Sequence, residues 1–273
     1  MINKNKVSEI IKFAQLERKR ACLTLDQPID IFNFINSKGI IIKFDPISAD
    51  DGITITGKQT MFKISMLRPF LRQRFSCAHE YAHYIFNKNR FVSDNQEDEE
   101  CAADIFAGEL LSPKQVILKG FRSRGLDYRY PSLHSIMSIS GWIGVSNLAL
   151  LTQMRNYRMI TTENYYKFKN IKASEYRNSI MNMNLDAHIY LIDQHWYSRP
   201  IDLLTTEYLL VQNDIKVTQH NLNMLQEIDN YILYKAVSPG CNTVYVNENE
   251  YIIRIREKEY QGVFSNKYWS TNV

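Results

Sequence analysis

Cysteine is scarce in this 273-residue sequence: Cys22, Cys77, Cys101 and Cys241 lie far apart, with no C-x-x-C pair among them. That excludes a dense disulfide framework and fits reduced thiols in a cytosolic protein. Long apolar runs are missing as well. Gly39-Ile40-Ile41-Ile42 stops at Lys43, and no stretch approaches the ~20 apolar residues that a membrane-spanning helix needs. The opening segment, Met1 to Lys12, has neither the apolar core nor the small-residue cleavage site of a secretory leader. A cytoplasmic location without membrane contact is the expectation. No repeat at a fixed period is visible. Excess charge is small, a formal +4 at pH 7, and uneven: residues 1–160 carry 22 Lys+Arg against 16 Asp+Glu, residues 161–273 carry 11 against 13. So diffuse a basic excess does not argue for nucleic acid, which wants cations clustered on one face.

What is present is ordinary core-forming material, 45% hydrophobic and 12% aromatic residues, in a length that fits two domains of roughly 100–150 residues. Apolar residues at Val7, Ile10, Ile11, Ala14 and Leu16 predict an amphipathic helix from Lys6 to about Leu23, with Arg18-Lys19-Arg20 in its last turn complementing the dipole. Asp26 to Ile35 reads as a short helix ended by Gly39, and Ile40–Phe44, Ile53–Ile55 and Met61–Ile64 read as strands of a small antiparallel sheet. Helices are expected from Pro69 to about Asn87, from about Glu99 to Leu111 after an acidic loop Asp94–Asp98, from Ser112-Pro113, near 131–139 and over 147–157. Beyond 160 the texture turns to β: His188–Ile192, Tyr208–Val211, Tyr231–Val237, Thr243–Val246, Tyr251–Ile255 and Gln261–Phe264. The expected organisation is α+β, with one domain over 1–160, a linker over 161–184 and a β-rich domain over 185–273.

His79-Glu80-Tyr81-Ala82-His83 matches H-E-x-x-H. On a helix, positions four apart stand one turn above each other on one face, so both imidazoles reach a single metal ion, and Glu80 beside them can hold a water at the metal and take its proton. With 6 His in the chain, about 0.007 such matches are expected by chance. A catalytic zinc usually takes three protein ligands. Glu100 and Asp104 share a face of the next helix, which allows Glu100 to bind the metal and Asp104 to orient an imidazole through its other nitrogen. Glu97 and Glu99 are the competing ligands, because an acidic run at a helix start is also favoured by the dipole alone.

Two blocks, Arg74-Phe75-Ser76-Cys77-Ala78-His79-Glu80-Tyr81-Ala82-His83 and Glu100-Cys101-Ala102-Ala103-Asp104-Ile105-Phe106-Ala107-Gly108-Glu109-Leu110-Leu111-Ser112-Pro113, together with Val145-Ser146-Asn147-Leu148-Ala149, resemble the ImmA/IrrE family of zinc metallopeptidases. The likeness spans roughly residues 25–160. It implies a zincin-like, gluzincin-type domain with His79, His83 and Glu100 as zinc ligands and Glu80 as general base. It also implies a cytoplasmic protease that cleaves a helix-turn-helix transcriptional repressor. Asp104 stands where the family often has asparagine, and Tyr81-Ala82 where it often has Leu-Gly. Some members carry an extra carboxyl-terminal regulatory domain, but no motif carries over beyond 160.

Cys77 and Cys101 sit beside proposed ligands in sequence, yet their helical positions turn them away from the metal. Tyr81, Tyr84 and His134 are the candidates for stabilising a tetrahedral oxyanion. Ser146 to Arg158 could be a DNA-reading helix, but such a unit wants a partner helix at a defined turn and clustered cations, so a core helix is the preferred reading and direct nucleic-acid binding is not expected. The leading function is a zinc-dependent endopeptidase acting on a protein. The alternatives are a regulatory binding protein that folds around a metal and cleaves nothing, and a proteolytic toxin or defence effector.

Overall fold

The computed structural model describes residues 4–89, 95–172, 174–176, 178 and 185–265. In chain order, α1 (Lys4–Arg20) and α2 (Ile31–Ser37) precede β1 (Ile41–Asp45), β2 (Gly52–Ile55) and β3 (Met61–Ser65). Then come α3 (Phe70–Lys88), α4 (Gln96–Leu111), α5 (Lys114–Ser123), α6 (Leu133–Ile143), α7 (Asn147–Asn156) and α8 (Thr162–Lys169). Strands follow: β4 (Ile189–Ile192), β5 (Ile201–Leu204), β6 (Tyr208–Gln212), β7 (Lys216–Val217), β8 (Leu222–Ile228), β9 (Tyr231–Ala236), β10 (Gly240–Val246), β11 (Asn249–Arg256) and β12 (Gly262–Val263). The fold is mixed α+β. Two compact units divide it, one of residues 1–116 with 261–264, the other of 117–260 with 265–273.

In the first unit the strands line up as β12-β1-β3-β2. Alternation sorts the faces: Ile42, Phe44, Phe62 and Ile64 are buried, while Lys43 and Lys63 point outward and pair with Asp45 at 2.9 and 3.6 Å. The sheet is mixed, not antiparallel as the sequence suggests. β2 folds back onto the far side of β3, so β1 and β3 are left pointing the same way and pair in parallel, Ile42 opposite Phe62. Phe32 of α2 meets Phe44 and Phe70 edge-on, each at 5.6 Å, and Phe264 just past β12 joins them at 5.7 Å. Such aromatic clustering supplies large burial from few residues. α1 lies on α4, with Phe13 against Phe106 at 6.1 Å. Arg18 is not solvated as its place in a basic run suggests. It is fully buried and donates to the Leu110 carbonyl at 2.6 Å and the Thr24 carbonyl at 2.9 Å, satisfying groups at the end of α4 that the helix itself leaves open. Arg74 of the family-like block is likewise structural, buried and bonded to the Ile29 carbonyl at 2.7 Å.

In the second unit two four-stranded sheets run β4-β6-β9-β8 and β5-β11-β10-β7. The unit begins near residue 117 instead of 185, because α6 packs on its strands. Ile136, Ile139 and Trp142 of α6 are buried, Trp142 Nε1 donates to the Tyr197 carbonyl at 3.2 Å, and the buried Arg199 donates to the carbonyls of Gly141 and Trp142. Arg124 grips Asp193 with two bonds of 2.7 and 3.0 Å. The expected linker contains α8, capped by Thr161; its residues 173, 177 and 179–184 lie outside the described residues, as does Asp94 of the expected acidic loop. Strands β5, β7 and β8 have no counterpart in the sequence reading. No single described helix is long and apolar enough to cross a membrane.

Candidate metal centre

α3 presents two faces. Ala78, Tyr81, Ala82, Ile85 and Phe86 are buried, while His79 and His83, one turn apart, stand on the opposite side at intermediate exposure. α4 begins at Asn95, whose side chain accepts from the Asp98 amide at 2.8 Å, with Glu97, Asp98 and Glu99 in the first turn where the dipole favours carboxylates. α3 and α4 run antiparallel: His79 meets Asp104, and one turn further along α3 His83 meets Glu99 and Glu100.

The two Nε2 atoms are 3.0 Å apart, His79 Nε2 lies 3.1 Å from one Glu100 oxygen, and His83 Nε2 lies 3.4 Å from the other. On the outer side of each ring, His79 Nδ1 is 2.9 Å from Asp104 and His83 Nδ1 is 3.3 Å from Glu99. An ionised carboxylate only accepts, so each Nδ1 that bonds one carries the proton, and a ring in its neutral form then offers Nε2 as a lone pair. With both rings neutral, two lone pairs and a third carboxylate converge on one point, a repulsion that a bound cation or a shared proton relieves. Ligand atoms of His79, His83 and Glu100 all fall within 4.8 Å of one another. Tetrahedral zinc, with bonds near 2.0–2.1 Å, sets neighbouring ligands about 3.3 Å apart, so this group fits such an ion. Burial pulls His79 toward its neutral form, but the bond and charge of Asp104, with Glu100 and Glu80 nearby, outweigh it and lift its pKa above the ordinary histidine range.

Glu80 is buried on the flank of the site, where edge strand β2 approaches it. Thr54 Oγ1 donates to Glu80 Oε2 at 2.7 Å, and a Cβ placed on Gly52 would stand 2.9 Å from Glu80 Cγ and 3.0 Å from Oε1. Only glycine lets the strand come this close.

Cys77 is buried, and burial with the nearby Glu80 charge pushes its thiol well above the usual range, which makes it a poor metal ligand. Neither Cys77 nor Cys101 joins the ligand group among the described residues. Tyr81 faces away from the site, donating to Glu17 of α1 at 2.5 Å, so it is not placed to stabilise an oxyanion. Tyr84 packs edge-on against Phe62 at 6.3 Å, and His134 belongs to the second unit, beside Tyr231 at 6.2 Å. Thr54 and Gly52 are the site neighbours that sequence reasoning did not pick out, because the β2 contact has no local signature. Glu99, weighed there as a competing ligand, meets the outer nitrogen of His83 instead.

α7 buries Leu150, Leu151 and Met154, the expected core face. It does have a partner helix: α6 and α7 meet at 96° across a short turn in which Gly144 adopts φ 82°, as in a helix-turn-helix. Its Arg155 lies over the Tyr165 ring at 4.7 Å.

A helix pair carrying H-E-x-x-H and a third carboxylate defines a metallopeptidase type of site. Residues 65–138 match the Peptidase_M78 family, described as the IrrE N-terminal-like domain, in line with the resemblance to ImmA/IrrE proteins. None of the curated proteins compared matches the sequence. A solved structure described as a Mycobacterium tuberculosis transcriptional regulator is similar at TM-score 0.39 and 14% identity, over 54% of this chain and 46% of that one. The match therefore spans about half of that protein.

Proposed function

We propose that the chain is a zinc-dependent endopeptidase with a zincin-like first unit, acting in the cytoplasm on a protein partner, a helix-turn-helix transcriptional repressor. The observation that carries the metal reading is the convergence of both Nε2 atoms and Glu100 while both Nδ1 atoms face carboxylates. The repressor as substrate rests on the resemblance to ImmA/IrrE proteins alone.

His79, His83 and Glu100 hold the metal, and Asp104 fixes the His79 ring. When bound, the metal supplies Lewis acidity that polarises a peptide carbonyl and acidifies water. Glu80, held by Thr54, takes the proton from the attacking water on its carboxylate and passes it to the departing amine nitrogen. The second unit, which contributes none of these residues, serves as regulator or substrate holder.

The test is to incubate the zinc-loaded protein with the helix-turn-helix repressor encoded beside it, next to Glu80→Gln carrying the same metal. Cleavage by the wild type alone supports the reading. An intact repressor with both, in protein that holds stoichiometric metal, leaves the regulatory binding role in its place. Growth arrest on expression that needs Glu80 would assign the same chemistry to a toxin or defence effector.

A further inference from the structure

We infer that Glu99 is a positioning residue for His83, holding its ring so that Nε2 faces the metal as Asp104 does for His79. The inference rests on the metal reading above and deepens it.

Glu99 accepts from His83 Nδ1 at 3.3 Å, against 2.9 Å for Asp104 and His79. The two bonds are equivalent in chemistry. Each joins a non-ligating carboxylate on α4 to the outward nitrogen of an imidazole on α3, and each selects the tautomer whose free lone pair points inward. Glu99 and Glu100 are adjacent, so they divide the work: Glu100 places its oxygens 3.1 and 3.4 Å from the two Nε2 atoms, and Glu99 takes the outer side of His83. The acidic run at the start of α4 thus splits by position. Glu97 is exposed and answers only the helix dipole, whereas Glu99 is drawn to the imidazole. Without a partner on Nδ1, the His83 ring could turn over or take the other tautomer, and either event removes its lone pair from the site.

Zinc affinity of the full chain, measured by competition with a chelating indicator, tests this without a substrate. Glu99→Ala should weaken binding by roughly 10–100-fold, the usual penalty for losing an outer partner of a ligating histidine. Glu99→Gln, whose amide oxygen still accepts, should recover most of it, and Glu97→Gln should match the wild type. In the zinc-loaded protein the Nδ1-bound proton of His83, seen by nitrogen-15 NMR, should persist in Glu99→Gln and exchange rapidly in Glu99→Ala. Wild-type affinity and an unchanged His83 proton in Glu99→Ala, while Asp104→Ala binds weakly, would overturn the role of Glu99 alone. Equal losses in both Glu99 variants would make the residue a source of charge and overturn positioning. A folded wild type that binds no zinc removes the metal reading and this inference together.

Discussion

Thr54 and Glu80 come from elements 26 residues apart and share a hydrogen bond of 2.7 Å, the threonine hydroxyl donating to the carboxylate. Two residues before Thr54 on the same strand face, Gly52 leaves the room that Glu80 fills. Thr54→Val should therefore lower kcat, with Thr54→Ser near wild type. Gly52→Ala, which crowds the Glu80 side chain, should cost up to about 100-fold, the penalty of misplacing a reacting group by an ångström. Zinc content should be unchanged in all three, because none of them touches a ligand. Turnover of the repressor alongside metal analysis checks both.

Tyr81 sits inside the H-E-x-x-H block yet belongs to the core. Its hydroxyl donates to the buried Glu17, which also pairs with Arg20 at 2.6 Å and Lys38 at 3.7 Å. Tyr81→Phe should lower unfolding free energy by about 1–3 kcal/mol, as expected when a buried charged acceptor loses a donor. Zinc affinity and turnover should be preserved. Denaturant melts next to a zinc titration separate the two effects, and a large loss of kcat with unaltered stability would return Tyr81 to the reaction.

Arg18 is the buried counterpart on α1, tied to the carbonyls of Leu110 and Thr24. Arg18→Met keeps the stem and removes the donors, leaving the buried Leu110 carbonyl at the end of α4 and the Thr24 carbonyl after α1 without this partner. A loss of at least about 2 kcal/mol in urea unfolding is expected.

In the second unit Glu207 is buried and accepts from the Leu204 amide at 2.8 Å. Burial raises its pKa from 4.5 to about 7, partly offset by that bond and by Arg256 and Lys258. The folded chain thus holds this proton more tightly than the unfolded one, so the associated stability is present in full below about pH 4.5 and is lost as pH rises toward 7. At about 1.4 kcal/mol per pKa unit the loss reaches about 3 kcal/mol. Glu207→Gln, neutral at every pH and still able to accept from Leu204, should flatten that slope and be the more stable protein above pH 7. Melting temperatures across pH 5–8 measure it.

Much of the first unit was legible because its signals are local. Apolar spacing located α1, α3 and α4 to within a few residues, and the four-residue steps from His79 to His83 and from Glu100 to Asp104 brought these four side chains onto facing sides. Contacts between distant segments were not legible. The parallel pairing of β1 with β3, the burial of Arg18 and the approach of β2 to Glu80 depend on elements meeting, and no periodicity records that. In the second unit β5 and β8 escaped for different reasons. The former reads Ile-Asp-Leu-Leu, its Asp202 buried and bonded by Arg254 at 2.6 Å, so a charge interrupts the apolar run. The latter is mostly solvated, Leu222 being its one fully buried residue, and lacks an apolar signature.

The two-residue strand β12, with Phe264 beside Phe32, makes the sheet of the first unit depend on residues about 150 positions downstream of α4. During synthesis at 5–20 residues per second, about eight to thirty seconds separate the emergence of α4 from that of the strand that closes the β1 edge. Throughout that interval β1 exposes its hydrogen-bonding groups, and the Phe32 cluster lacks one ring. A ribosome that stalls, or a chain clipped before residue 262, leaves the candidate metal ligands already made but their supporting sheet unfinished.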